Sequence, residues 1–90
     1  MKEIVNIEGI EIETEKYDPK DAKAAHKHFA DCMRKVREAS GMNRKDCAEW
    51  LGIPYRSMQG WELARRVMPE YVLRLIAYKV YHEKVKKSED

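Results

Sequence analysis

Three side chains that could read DNA bases lie close together at Tyr55, Arg56 and Gln59. An arginine can donate two parallel hydrogen bonds to O6 and N7 of guanine, and a glutamine amide can pair in the same way with N6 and N7 of adenine. A tyrosine offers its ring to a thymine methyl group and its hydroxyl to a phosphate. The trio predicts contacts with base edges, although Arg56 and Gln59 could instead be solvated residues of a helix.

The surrounding stretch, residues 44–63, has the spacing of two short helices that meet at a sharp turn. Ala48 is small where the second helix would cross the first closely. Gly52 stands where the chain would reverse, a place that often needs a positive φ. The apolar positions that would fill one side of this unit are Cys47, Leu51, Ile53, Met58 and Trp61.

This stretch, RKDCAEWLGIPYRSMQGWEL, resembles the Cro/repressor (XRE) family of helix-turn-helix regulators. The preceding RKVREASGMN is similar to the first helix and turn of that family, and WELARRVMPEYVLRLIAYK is similar to the segment that follows. The resemblance covers roughly residues 29–79. It implies a double-stranded DNA-binding protein that regulates transcription, with a helix over residues 54–63 in the major groove.

The resemblance and the residue types together assign roles to individual positions. The predicted base-reading residues are Arg44, Tyr55, Arg56, Gln59 and Gly60, the last because a helix without a side chain there can approach the groove closely. The predicted phosphate contacts are Lys45, Ser57, Arg65 and Arg66, although for the last two a solvated face is nearly as good an explanation. The residues expected to hold the unit together are Arg37, Ala48, Gly52, Trp61 and Glu62, and family members pair the positions of Arg37 and Glu62 as ions.

Pro54 stands at the expected N-cap of the third helix and offers no capping oxygen. The N–H groups of that first turn are therefore left either for a DNA phosphate or for water.

The last predicted helix, opened by Pro69, is apolar on two sides. Val72, Leu75, Ile76 and Val80 are expected to be buried. A second stripe consists of Tyr71, Tyr78, Tyr81 and Val85. It predicts either further core packing or a homodimer interface, because one recognition helix buries little surface for tight specific binding.

Charge is distributed unevenly along the chain, whose net charge is only +2. Residues 1–18 carry two basic against six acidic residues, a net charge of −4, and the remaining residues carry 16 basic and 10 acidic residues, a net charge of +6. The basic part is typical of a nucleic-acid-binding surface. The acidic arm would be repelled by DNA, so it is expected to face away from it or to serve another partner.

Alternating apolar residues in the arm predict a β-hairpin with its turn at Glu8-Gly9. Such a turn pairs Ile7 with Ile10 and Val5 with Ile12. Because an isolated hairpin is marginal in water, its apolar face must cover either the helices of the chain or a second copy.

The predicted fold is mostly α, a compact helix-turn-helix bundle of about four helices with a short N-terminal β-hairpin. The arm occupies residues 1–18, the helix-turn-helix domain residues 19–86 and a charged tail residues 87–90. Asp18 and Pro19 are expected to open the first helix. Two departures from the resembled family are a missing fifth helix and alanine instead of glycine at Ala64, for which we expect the third helix to continue by one turn.

Several other functions find no support in the sequence. No apolar run approaches the ~18–20 residues of a membrane span, and no signal peptide is evident, which favours a cytoplasmic protein. Cys32 and Cys47 are expected to be buried thiols. His26 and His28 are two residues apart and lie on different helix faces, so neither a metal nor another cofactor is predicted. No catalytic arrangement is recognisable, and an enzyme is not expected.

Two functions follow from these features. The first is a dimeric, sequence-specific repressor that reads a short inverted repeat. The second is a protein-interaction factor, such as an antitoxin or a phage-encoded inhibitor, that binds a partner through the acidic arm and uses the helix-turn-helix for autoregulation.

Overall fold

The chain begins with a two-stranded antiparallel hairpin whose inner face is apolar. The computed structural model describes residues 2–86, with strand β1 at Lys2–Ile7 and strand β2 at Ile10–Glu15. Val5 pairs with Ile12 and Ile7 with Ile10, so the predicted register is confirmed. Both Glu8 and Gly9 have positive φ, at 51° and 102°, as a two-residue turn matched to the strand twist requires.

Four α-helices follow: α1 at Ala22–Ser40, α2 at Arg44–Leu51, α3 at Tyr55–Glu62 and α4 at Glu70–Val80. A π-helical turn, Tyr81–Val85, continues α4. The mostly α fold of four helices with a short N-terminal hairpin is therefore confirmed. The proposed tail at residues 87–90 lies outside the described residues. Within residues 2–86, no helix has both the length and the apolar character needed to cross a bilayer.

The first helix begins later than predicted. Asp21, and not Asp18, is its N-cap, since the Asp21 carboxylate accepts hydrogen bonds from the backbone N–H groups of Lys23 and Ala24. Asp18 instead caps a preceding turn, where its carboxylate accepts from the N–H of Lys20 at 2.9 Å. Both aspartates thus act as caps, and only the second has a helix after it.

One core joins the hairpin to all four helices. Ile10 and Ile12 of β2 are buried with Met33 and Val36 of α1 and with side chains from the other three helices. The inner face of the hairpin is thus covered by the helices of its own chain, which answers the question that the alternating pattern left open. The acidic arm and the helical domain share a core and are one structural unit.

The buried face of α4 differs from the predicted stripe. Its buried residues are Leu73, Ile76, Ala77 and Val80, a set with the i, i+3, i+4, i+7 spacing of one helix face. Val72 is only partly buried, and Leu75 is 65% exposed. The prediction that Val72 and Leu75 are buried is therefore wrong. Because α4 is apolar on both sides, periodicity alone did not identify which side faces the core.

Candidate nucleic-acid interface

The second and third helices meet at a sharp turn, as predicted. The Asn43 side chain caps α2 by accepting a hydrogen bond from the N–H of Asp46 at 2.8 Å. Gly52 ends α2 with φ +72°, and the N–H of Ile53 donates to the carbonyl of Ala48 at 2.9 Å. Ala48 is buried, so its small side chain lets the two helices come close.

A buried carboxylate holds α3 to two other helices. Glu62 is only 2% exposed and accepts hydrogen bonds from the Nε atoms of Arg37, at 2.9 Å, and of Arg44, at 3.3 Å. Arg37 also donates through Nη1 to the carbonyl of Met42 at 3.3 Å. The predicted Arg37–Glu62 ion pair is confirmed, and it fixes the orientation of α3 relative to α1 and α2.

Arg44 and Gly60 do not have the surroundings that base readers need. Arg44 is engaged with Glu62, so its assignment as a base reader is corrected to a structural one. Gly60 is buried, and a Cβ placed on it would lie 2.8 Å from Cγ and Cδ of Arg66. The Arg66 stem therefore covers Gly60 in this conformation, and the backbone there is not open to a groove.

The first turn of α3 presents polar side chains to the surroundings. Tyr55 is 45% exposed, Arg56 is also exposed, and Ser57 and Gln59 are partly buried. Pro54 precedes the helix and provides no side-chain cap, as expected from its chemistry. Tyr55, Arg56 and Ser57 thus lie at the N-terminal end of α3, and Gln59 lies one turn before the buried Glu62.

Basic residues flank this exposed turn on both sides. Lys45 on α2 is exposed, as are Arg65 and Arg66 after α3. Lys45 and Tyr55 also line a shallow hollow between the two helices, together with Ala48, Ile53 and the acidic Glu49. Of the predicted phosphate contacts, Lys45 is therefore close to the predicted base reader Tyr55, while Arg65 and Arg66 are exposed beyond the other end of α3.

The end of α3 does not follow the expectation for Ala64. The helix stops at Glu62, and Ala64 adopts φ +58°, in the left-handed region where a Cβ costs about 1–2 kcal/mol. The N–H groups of Arg65 and Arg66 both donate to the carbonyl of Gly60, at 2.8 and 3.2 Å. These two bonds close the turn, so the helix ends without the glycine found in the resembled family.

Trp50 has partners that the sequence pattern did not indicate. It is partly buried, and the Nζ atoms of Lys79 and Lys84 lie 4.7 and 5.1 Å from its ring centroid. These cation–π contacts connect α2 to the end of α4. No local spacing could have revealed them, because the residues are far apart in the sequence.

His28 and Cys32 of α1 form a buried cluster with Thr14 of the hairpin. His28 Nδ1 lies 3.3 Å from Thr14 Oγ1, and His28 Nε2 lies 3.6 Å from Cys32 Sγ. The ring of Tyr17 stacks on His28 with a centroid distance of 4.2 Å. Burial lowers the pKa of His28, an effect that the nearby carboxylates of Glu3, Asp31 and Glu70 partly oppose.

Both cysteines are free and buried, as predicted. Burial raises the pKa of Cys32 to about 12, with a smaller contribution from Asp31, and burial also raises the pKa of Cys47. Thiols of this kind stay protonated and are poor nucleophiles. Among residues 2–86, no group of three or more histidine, cysteine or acidic side chains is arranged to hold a metal ion.

Comparison with known proteins identified no relative of this chain. No protein-family model matches the sequence, and neither curated proteins nor solved structures provide a match. The function has therefore to be inferred from the geometry of the described residues.

Proposed function

We propose that this chain is a sequence-specific DNA-binding regulator of the helix-turn-helix type, a repressor that places the first turn of α3 in the major groove. One observation carries the proposal: a rigidly held helix exposes Tyr55 and Arg56 at one end and is tied at the other by the buried Glu62. Side chains of these types, on a helix whose orientation is fixed, suit base edges. The similarity to the Cro/repressor family supports the same assignment.

The charges around α3 support separate roles for base-reading residues and phosphate-binding residues. Arg56 and Gln59 are assigned to base edges, with Tyr55 on a thymine methyl group or a phosphate. The basic residues on either side are assigned to phosphates, which position the protein without selecting a sequence. Ser57 is assigned to a phosphate on the same turn. The acidic hairpin packs on α1 and α4, so its charge is carried by a different part of the molecule.

Fluorescence anisotropy with duplexes selected from random DNA, measured at several salt concentrations, tests the proposal. Arg56→Ala should weaken binding to the selected site by about 1–3 kcal/mol and relax the preference at one base position. Arg65→Ala should weaken binding to all duplexes alike and reduce the salt slope by about 1. Arg44 is unsuitable as a first test, because its loss would also disturb Glu62.

Arg34→Ala is the matched control, since it removes an arginine from α1 that pairs with Asp31, outside the α2–α3 unit. It should leave both affinity and specificity unchanged. Equal affinity for every duplex, with Arg56→Ala the same as the unaltered chain, would overturn base reading by α3. Absence of DNA binding at low salt would overturn the whole proposal.

A further inference from the structure

A cavity of about 170 Å³ lies where β1, α1 and α4 meet, outside the α2–α3 unit. Most of its lining is partly or fully buried, whereas the lining residues Asn6, Glu70 and Arg74 are exposed, so the cavity opens to solvent beside them. An apolar cavity of about 150 Å³ accommodates a benzene molecule. The space beside the hairpin is therefore large enough for a ligand, or part of one, of roughly six non-hydrogen atoms.

Three aromatic side chains form a corner of this cavity. Tyr17 stacks on His28, with a centroid distance of 4.2 Å. The Phe29 ring is inclined to both of them, at 68° to Tyr17 and 66° to His28. All three rings line the cavity. The face of an aromatic ring carries partial negative charge and attracts cations, and clusters of such rings hold quaternary ammonium groups in other proteins.

Two carboxylates make the surroundings of these rings more negative. Burial raises the pKa of Tyr17, and the carboxylates of Glu70 and Glu3 raise it further. The same two carboxylates favour the protonated form of His28, although burial dominates and lowers the pKa of that ring. His28 is therefore uncharged at neutral pH and does not repel a cation, while the nearby carboxylates attract one.

Arg74 is the basic residue of the cavity lining, and its charge is already paired. Its Nε atom donates a hydrogen bond to Glu70 at 3.1 Å, and its Nη1 atom lies 3.6 Å from a carboxylate oxygen of Glu8. With Glu3, the acidic groups at or beside the cavity outnumber its guanidinium among the described residues. An anionic ligand would compete with these carboxylates for Arg74, whereas a cation meets an excess of negative charge.

Contacts of the hairpin with both helices hold the walls of the cavity in place. His28 Nδ1 on α1 lies 3.3 Å from Thr14 Oγ1 on β2, and the ring of Tyr81, after α4, packs over Gly9 in the turn. Fixed walls reduce the entropy that ligand binding costs. Because Tyr81 also packs against the core, its predicted place in a dimer interface is corrected. The other members of that predicted stripe are exposed: Tyr71, Tyr78 and Val85.

We propose that this cavity binds a small organic cation, such as a quaternary ammonium compound, whose charged group lies against the rings of Tyr17, His28 and Phe29. Glu70 supplies the neighbouring negative charge. Apolar surface for the methyl groups of the ligand comes from Val5, Ile7 and Leu73. The residues described as lining the cavity include none that we assign to DNA, so this inference goes beyond the proposed function and does not depend on it.

Titration of the isotope-labelled full chain with choline, followed by two-dimensional NMR, tests the site. Choline should shift the backbone amide signals of the lining residues in a saturable manner. Neohexanol, the uncharged carbon analogue of choline, is the matched control for shape and should bind at least about tenfold more weakly, because it lacks the cation–π attraction. Sodium chloride at the same ionic strength controls for screening.

Two variants test the residues that carry the proposal. Tyr17→Leu keeps an apolar side chain without the ring and should weaken choline binding by about fivefold or more. Glu70→Gln keeps the shape without the charge and should weaken it by about twofold to fivefold. The matched controls are Tyr78→Leu and Glu49→Gln, exposed residues of the same types outside this cavity, and they should bind choline as the unaltered chain does. The NMR spectra show whether each variant is folded.

The outcomes separate the parts of the proposal. Absence of saturable shifts at about 100 mM choline, well above a millimolar dissociation constant, would overturn the site. Equal affinity for choline and neohexanol would overturn the preference for a cation. A folded Tyr17→Leu chain that binds choline normally would overturn the role of the rings. If that variant does not fold, Glu70→Gln decides, and an affinity equal to that of Glu49→Gln would contradict the site. No step uses DNA, so failure here leaves the proposed base reading standing.

Discussion

The hairpin and the α2–α3 unit are attached to α1 by different kinds of contact. The hairpin is held by apolar side chains, chiefly Ile10 and Ile12, with His28 as the buried titratable group. The α2–α3 unit has an apolar core as well, but it adds the buried charge of Glu62 with its two arginines. Apolar burial is non-directional, whereas a carboxylate paired with two arginines fixes the orientation of α3 relative to α1 and α2. The part of the molecule proposed to read DNA is thus the part whose orientation is specified.

Removal of the buried carboxylate of Glu62 should have the largest effect and should affect the α2–α3 unit rather than the hairpin. Glu62→Ala leaves two partly buried guanidinium groups without their acceptor and should lower the free energy of unfolding by about 3–5 kcal/mol. Urea denaturation measures this loss. Glu62→Gln keeps an acceptor of similar shape and should lose less. A loss below about 1 kcal/mol for Glu62→Ala would show that the ion pairs do not hold α3.

The hairpin should be sensitive to apolar truncation on one face only. Ile12 is 1% exposed, and Ile12→Ala should lower the free energy of unfolding by about 2–5 kcal/mol. Ile4 is the same residue type on the opposite face of the sheet, and Ile4→Ala should stay within about 0.5 kcal/mol. Chemical denaturation of both variants measures the contrast. Equal losses would mean that the hairpin does not contribute to the core.

Acidification should weaken the hairpin side of the molecule through His28. The pKa of His28 in the folded state lies below its usual value of 6.5, so the unfolded chain takes up the proton first. The contribution of this group is present above pH 6.5 and is lost as the pH falls from 6.5 through the folded-state pKa.

Urea denaturation between pH 7.5 and 5, compared with the same series for His28→Gln, isolates this contribution. The unaltered chain should lose more stability than the variant over that range. A parallel pH dependence of the two chains would contradict the assignment.

The smallest expected effect is a gain at the end of α3. Ala64→Gly relieves a left-handed alanine but gives the unfolded chain more freedom, so a net stabilisation of up to about 1 kcal/mol is expected. Ala39→Gly, at an exposed position of α1, should instead destabilise by up to about 1 kcal/mol. Thermal denaturation of both variants shows whether the stability rises for Ala64→Gly and falls for Ala39→Gly. Destabilisation by Ala64→Gly would mean that this turn carries no backbone strain.

The sequence predicted those parts of the fold that depend on neighbouring residues. The hairpin register follows from alternation around Glu8-Gly9, and the end of α2 follows from Gly52. The first helix began later than expected because Asp18 and Asp21 are equally good caps. Only the folded chain shows which of them precedes the helix.

Contacts between distant residues were harder to predict. The Arg37–Glu62 pair came from family resemblance, and nothing in the spacing indicated that Arg44 would share the same carboxylate. The buried side of α4 was misjudged at Leu75 because both of its faces are apolar. Tertiary packing determines which side of a helix is buried and which distant residues pair, and local periodicity carries no information about it.

The contact between Gly9 and Tyr81 has a consequence for synthesis. The hairpin turn is made early, but the ring that lies on it belongs to a residue translated much later. At elongation rates of ~5–20 residues per second, the residues of the hairpin are translated on the order of 4–14 s before that ring is. During this interval the turn at Gly9 lacks the ring that packs on it. Since an isolated hairpin is marginal in water, we expect the strand pair to become stable only after the end of α4 has been synthesised.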